Sequence, residues 1–447
     1  MKNNIILFTI LTGILFSSCD AALDVQPENY LFEDQLVTDD KSAQTSLVGV
    51  YTQLNWTYYQ YLEVMLPLMD GSLTTTNSTW IFGEASDNSF DSSQVSLNTV
   101  YEWPYYITNS ANATISAVTD NASVSAGEHD RILSEAYFLR AFGHYVALRS
   151  FGQFFDLSSD YGIVLQNTVS TVENSKIARS TVQESYDFIL DDLDKSIELN
   201  AAFTYNYYAS SIAAKAFKAN VLLYMGGQEN YEAAVLLADE VINSGDVELE
   251  SNFEDVFENG VANSEVIFSR INGEGQASKL SYYYQSLVKV SPWLQDFLVD
   301  DPRKEASYNT SNLFLKKIYT SGVSGGPANY MRLAEVYLIK AECQARLNLL
   351  AQAEETLNAV RNRAYGGAAP DLEYTSQEEL LDIIFDEYVK ELCFETGAVW
   401  FAAIRHGKIE EIKTNVTSSN QYIFPIPISE LENNTLFGPQ NPGYLGI

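Results

Sequence analysis

Residues 330–364 read YMRLAEVYLIKAECQARLNLLAQAEETLNAVRNRA, and the spacing of the apolar residues in this stretch decides the fold. Ala334, Tyr337, Leu338, Ala341 and Ala345 recur at intervals of three and four, which places them on one face of an α-helix. A short turn around Asn348 follows. Leu350, Ala353, Leu357 and Val360 then form a second helical face that returns against the first. Small Ala side chains at such a contact let two helices approach closely, while Tyr and Leu fill the gaps.

A second unit of the same design lies upstream. Ala216, Ala219 and Leu223 share a face, Gly226-Gly227 ends that helix, and Tyr231, Ala234, Ala238 and Val241 return before Gly245. Paired helices of this kind resemble tetratricopeptide packing, although the two units are far apart and no strict 34-residue array runs through the chain. Further helices are predicted at Lys41–Leu54, through Ile132, Ala136, Leu139, Gly143 and Val146, through Val182, Tyr186, Ile189, Leu193 and Ile197, and over residues 380–404. Thr181 with Glu184 fits a capping box. Two stretches lack helical periodicity. Residues 67–100 are rich in Ser, Thr, Asn, Asp and Gly, with Trp80, Phe82 and Phe90 among them, and read as a long loop. Residues 246–329 carry the run Tyr282-Tyr283-Tyr284 and the glycine-rich Ser321 to Ala328. The expected fold is mainly α: a tetratricopeptide-like helical repeat scaffold with long inserted loops and little β.

The chain has 447 residues, 46% of them hydrophobic, which is ample for a core of this size. Its formal net charge is −33, so phosphate repulsion argues against a nucleic-acid partner. The acidity reads as solubility at a crowded surface. No compact D-x-D-x-D-G loop supports a cation site, and no metal or cofactor is expected.

The N-terminus carries a separate signal. Lys2 precedes an apolar run from Ile5 to Phe16, broken only by Thr9, Thr12 and Gly13; Ser17, Ser18 and Cys19 follow. The run is too short to span a membrane. Small residues directly before a Cys resemble a bacterial lipoprotein signal, in which the Cys is acylated. The expected organisation is a signal peptide over 1–18, a lipidated tether over 19–40 starting at Cys19, and a single helical domain over 41–447 with its ligand-binding loops. Cys343 and Cys393, the other two cysteines, sit in helical patterns and read as buried thiols, with a disulfide left open for an exported protein.

Several segments then resemble, in order, the SusD/RagB family of Bacteroidetes surface lipoproteins. They are Glu135 to Ala141 with Tyr145 and Arg149 to Gly152; Arg179 to Val182 with Tyr186; Asp301-Pro302-Arg303; Tyr330 to Leu338 with Ala341-Glu342; Leu357-Asn358 and Val360 to Arg363. The tail Phe424-Pro425-Ile426-Pro427, with Glu430, Asn433 and Gln440 to Tyr444, completes the match. One block departs: Val399 precedes Trp400 where the family has Arg nearby, and Ala402 stands where Asp is frequent. The resemblance implies a lipid-anchored protein of the outer membrane's outer face that captures a nutrient for a TonB-dependent, SusC-like transporter. The residues of these motifs read as scaffold: Arg140, Arg332 and Glu335 lie in helical patterns and are expected to satisfy buried polar contacts.

No catalytic pattern is present. The three His (His129, His144, His406) fall in no HExxH arrangement, and no GxSxG or phosphate loop occurs. The expectation is a binding protein and not an enzyme. A surface glycoside hydrolase stays open, because its acid–base pair needs only the right separation in space. An oligosaccharide presents apolar C–H faces rimmed by hydroxyls, so its site needs flat aromatic rings beside amides and carboxylates. The candidates are Asp70, Asn77, Trp80 and Asn88 in the first polar stretch, and Tyr282 and Tyr283 in the second. A peptide ligand is the alternative within the same family.

Overall fold

The computed structural model describes residues 37–55, 59–76, 81–258, 263–270, 286–317 and 328–446. The signal and most of the tether, with Cys19, lie outside these residues; so do Asn77, Trp80, Tyr282 and Tyr283.

The long helices are α1 (Asp40–Gln53), α2 (Tyr59–Met69), α3 (Ile81–Asp87), α4 (Val95–Val118), α5 (Ala126–Phe151), α6 (Val182–Leu199), α7 (Ser211–Met225), α8 (Gln228–Ile242), α9 (Leu333–Arg346), α10 (Leu350–Ala364), α11 (Gln377–Leu392) and α12 (Ala398–Arg405). The apolar spacing read from the sequence explains most of them. Val182, Tyr186, Ile189 and Leu193 are all buried on α6. That helix starts at a reciprocal capping box: the Glu184 N–H donates to Thr181 Oγ1 (3.1 Å), and the Thr181 N–H donates to the Glu184 carboxylate (2.9 Å). Packing is serial, with α4 on α5, α5 on α6, α6 on α7, α7 on α8 and α8 on α9; α9 in turn carries both α10 and α11. Two hairpins, α7–α8 and α9–α10, are the expected helix–turn–helix units. Asn348 makes the second turn in a left-handed conformation (φ 61°), which Asn tolerates better than most residues.

β-Structure is confined, among the described residues, to two antiparallel pairs. Strand β1 (Leu73–Thr75) pairs with β3 (Val288–Val290), and β2 (Val266–Arg270) pairs with β4 (Ala328–Arg332). One contiguous apolar cluster runs from Val37 to Phe437 through nearly all of these elements. A small satellite of Phe253, Val256 and Phe257 sits beside it. Cys343 and Cys393 are buried free thiols.

Two expectations need correction. Residues 67–100 are not one long loop: α2 runs to Met69, β1 follows, α3 covers Ile81–Asp87 and α4 begins at Val95. Ile81, Phe82, Ala85 and Leu97 face the core, and the polar residues that suggested a loop lie between these buried positions. Phe82 and Phe90 are core residues, Phe90 meeting Phe424 edge-on at 4.8 Å. The helical pattern over 380–404 is likewise two helices. Phe394, Thr396 and Gly397 all have positive φ and break it. At Gly397 a Cβ would meet Leu66 at 2.5 Å, so the turn between α11 and α12 also needs glycine for close packing on α2.

Candidate functional site

Strands β1 and β3 are the sequence neighbours of the expected ligand-binding segments, and they pair with each other. Thr75, the last residue of β1, pairs with Val288, the first residue of β3, and the Thr75 hydroxyl donates to the Leu287 carbonyl at 2.9 Å. The chain leaves Thr75 towards Asn77 and Trp80, and it reaches Val288 from Tyr282 and Tyr283. Opposed residues in an antiparallel pair have Cα atoms about 5 Å apart. The second pair repeats the arrangement, with Arg270 opposite Ala328.

The base of β1 is fixed by Asp70 and Asn88. Asp70 is 1% exposed, and its carboxylate accepts the Ser72 N–H at 2.7 Å, the geometry of an Asx turn. Burial pushes its carboxyl up to about 6, against the lowering effect of Ser72 and nearby Lys413. Asn88 is also 1% exposed, and its side-chain amide donates to the Met69 carbonyl at 3.2 Å. Gln421 donates to the Asn88 carbonyl at 3.0 Å. The Asp70 side chain thus shapes the turn into β1, and the Asn88 side chain ties the end of α2 to Asn415, whose amide donates to Asn88 Oδ1 at 3.4 Å. At 1% exposure neither side chain lies at the surface, where the sequence expectation puts a ligand contact, because the polar run around them folds into short helices.

A feature absent from the sequence reading stands beside the second pair. The carbonyl of Asn206 accepts the Ser269 N–H at 2.7 Å, one residue before β2 ends. Asn206 is flanked by Tyr205, Tyr207 and Tyr208. Tyr205 and Tyr207 stack with centroids 5.1 Å apart and planes at 13°. Tyr207 meets Tyr208 at 4.8 Å, and Tyr208 meets Tyr51 edge-on at 5.3 Å. Tyr51 anchors the row: its hydroxyl donates to Glu135 at 2.5 Å and accepts the Ala209 N–H at 2.8 Å. Arg131 in turn pairs with Glu135 at 2.5 Å. The signal in the sequence was three Tyr in four residues directly before the Ser210 cap of α7.

The charged residues of the motifs lie inside the scaffold; Arg140 and Glu335 are on helices as expected, whereas Arg332 is the last residue of β4 and not helical. Arg140 clasps Asp192 through two hydrogen bonds of 2.7 and 2.8 Å. Arg332 bonds Glu265 and Glu391 (both 2.6 Å) and Glu395 (2.8 Å), while Arg363 joins Glu265 and Glu391. Arg303 adds Asp301, Glu387 and Glu391, and Lys317 adds Glu395. Burial alone would raise the Glu391 pKa, but Arg363, Arg332 and Arg303 hold it well below the usual carboxylate range. This network locks β4 to α10 and α11. His144 is buried and neutral: burial, then Arg140, lowers it to about 3, and its Nε2 accepts the Gln166 N–H at 3.1 Å. Glu335, pushed by burial up to about 7, is also enclosed, 9% exposed. These groups are structural in their geometry.

With this frame in place, comparison with known proteins is informative. A family model described as "SusD family" matches residues 217–411, and one described as "Starch-binding associating with outer membrane" matches residues 23–223. SusD-like protein P2 of Formosa agariphila is 25% identical, covering 99% of this chain and 100% of the relative. SusD-like protein P38 of the same organism is 23% identical, covering 97% of each. Among solved structures, a SusD superfamily protein from Bacteroides vulgatus superposes with a TM-score of 0.78 at 21% identity, over 92% of this chain and 100% of that one. A laminarin binding SusD-like protein superposes with a TM-score of 0.74 at 20% identity, over 91% and 100%.

Proposed function

Because the chain belongs to the SusD/RagB family, we propose that it captures a glycan at the cell surface and hands it to a partner TonB-dependent, SusC-like outer-membrane transporter. The observation that carries the glycan reading is the β1–β3 register. Thr75 stands opposite Val288, and in the sequence Asn77 and Trp80 follow β1 while Tyr282 and Tyr283 precede β3, so residues suited to a sugar flank one strand pair. Relatives support the ligand class: one matching family is described as starch-binding, and one structural neighbour binds laminarin. Anchoring is proposed through acylated Cys19; among the described residues no helix is long and apolar enough to cross a membrane. The serial helical stack offers a broad, rigid face for the transporter.

Binding proceeds without turnover in this reading. Asp70 and Glu335, whose carboxyls burial pushes up to about 6 and about 7, are enclosed by protein, which suits scaffold better than acid–base catalysis. The test is a panel of neutral glycans, acidic glycans and peptides against the purified protein, with product analysis by mass. Binding of a glycan with no product formed supports the proposal. Binding of peptides alone defeats the ligand class, and turnover that tracks one carboxylate defeats the binding-only role. Co-purification of a large β-barrel from native membranes tests the partnership, and recovery as a free monomer in mild detergent counts against it.

A further inference from the structure

We infer that the row Tyr205–Tyr207–Tyr208 is a stacking surface for the ring faces of a neutral glycan chain; this rests on the glycan-binding reading above and extends it to residues outside the expected loops. The row is built outward from the core. Tyr51 is pinned by Glu135 and by the Ala209 N–H, Tyr208 packs on Tyr51, Tyr207 on Tyr208, and Tyr205 on Tyr207. Tyr205, at the outer end, is 56% exposed, more than Tyr106 (41%) or Tyr365 (43%). An exposed ring held parallel to another ring can offer its outer flat face to a ligand.

Three properties point to a neutral sugar as the occupant. First, a pyranose has an apolar C–H face to lie on a ring and hydroxyls to reach the phenol oxygens, matching the amphipathic character of Tyr. The Tyr207 hydroxyl stays protonated, since desolvation and then Tyr208 and Tyr205 raise its pKa, so it remains a donor. Second, the rings are ordered by one another before any ligand arrives. The entropy of fixing them is met on folding, which favours weak repetitive stacking contacts. Third, the chain carries a net charge of −33. A polyanionic glycan would be repelled there, whereas a neutral one is indifferent to that field. The Asn206–Ser269 hydrogen bond sets the row beside the end of β2.

The experiment is calorimetric titration of the full-length mature protein with laminarin, amylopectin and alginate. Wild type, Tyr205→Ala, Tyr205→Phe, Tyr207→Ala and a control, Tyr365→Ala, are compared, with thermal melts of each. The expected result is that laminarin or amylopectin binds wild type. Tyr205→Ala and Tyr207→Ala then weaken binding about five- to tenfold, as loss of an aromatic stacking face does. Tyr205→Phe and Tyr365→Ala stay within about twofold of wild type, and Tyr205→Ala melts with wild type because its ring is exposed. Should Tyr207→Ala unfold, Tyr205→Ala decides alone. Wild-type affinity in both alanine variants overturns this inference and leaves the glycan-binding proposal standing. Absence of binding by wild type to all three glycans overturns both. Preferential binding of alginate that Tyr205→Ala abolishes overturns the assignment to neutral chains.

Discussion

Replacing Arg332 by Met tests how the scaffold holds its strand pairs. Arg332 is 1% exposed and touches three carboxylates, Glu265, Glu391 and Glu395, at 2.6–2.8 Å, as well as the Glu391 carbonyl at 2.6 Å. Around it, the cations Arg303, Lys317 and Arg363 face the same carboxylates together with Asp301 and Glu387. The group therefore holds five acids and four bases, and losing one base leaves five acids against three. Methionine fills the stem's volume but leaves buried carboxylates uncompensated, which costs about 3–5 kcal/mol when one partner of a buried ion pair is removed. Unfolding entropy of about 2.1 cal/mol/K per residue over roughly 400 residues converts this into a Tm about 4–6 °C lower. The pH dependence has a definite sign. Burial raises the pKa values of Glu391 and Glu395, but the neighbouring cations overcome it and hold both depressed. A depressed carboxyl contributes stability above its unfolded pKa, about 4.3, and that stability is lost as pH falls through the folded value. The gap between wild type and Arg332→Met should thus be full at pH 7 and narrow below about pH 4. Urea denaturation at several pH values measures it. A second arm, Arg332→Met with Glu395→Gln, should cost less than the sum of the two single changes, since each removes part of the same interaction. A single variant within about 1 kcal/mol of wild type at pH 7, or a gap that widens in acid, would refute the reasoning.

Other outcomes follow from other sites. Glu335→Gln keeps the acceptor for Asn220 but removes a carboxyl that burial pushes up to about 7. A raised pKa contributes stability below the unfolded value and loses it as pH rises through 7, so the variant should gain on wild type between pH 5 and 8, on the order of 3 kcal/mol, by denaturation at each pH. Gly162→Ala should destabilise by about 1–3 kcal/mol, because a Cβ there would press into the Ser180 and Thr181 carbonyl oxygens, and a melt unchanged from wild type would contradict that packing. Cys19→Ala should release the protein from the membrane fraction and abolish lipid labelling; unchanged fractionation would defeat the anchor. Trp80→Ala should weaken glycan binding by about 1–2 kcal/mol in calorimetry, and full affinity would shift the contact towards Tyr282 and Tyr283.

What the sequence determined by itself was everything set by neighbours three or four residues apart. The faces of α6 and of the two hairpins, the Thr181–Glu184 cap and the αL turn at Asn348 are all local, and each lies where the spacing puts it. The ordered motifs also pointed to the family, because each is a short run of neighbouring residues that can be read in place. The tertiary structure decided what depends on distant partners. The polar composition around Asp70 and Asn88 suits an exposed loop and the polar side of short helices equally well, and only packing shows both at 1% exposure. The meeting of Thr75 with Leu287 joins residues 212 apart, and that of Tyr51 with Ala209 joins residues 158 apart. Strand register and the tyrosine row arise from these contacts. Helical periodicity records which face of a segment is buried, but it carries no information about which remote segment buries it; that choice is made by the shape and charge of the whole core.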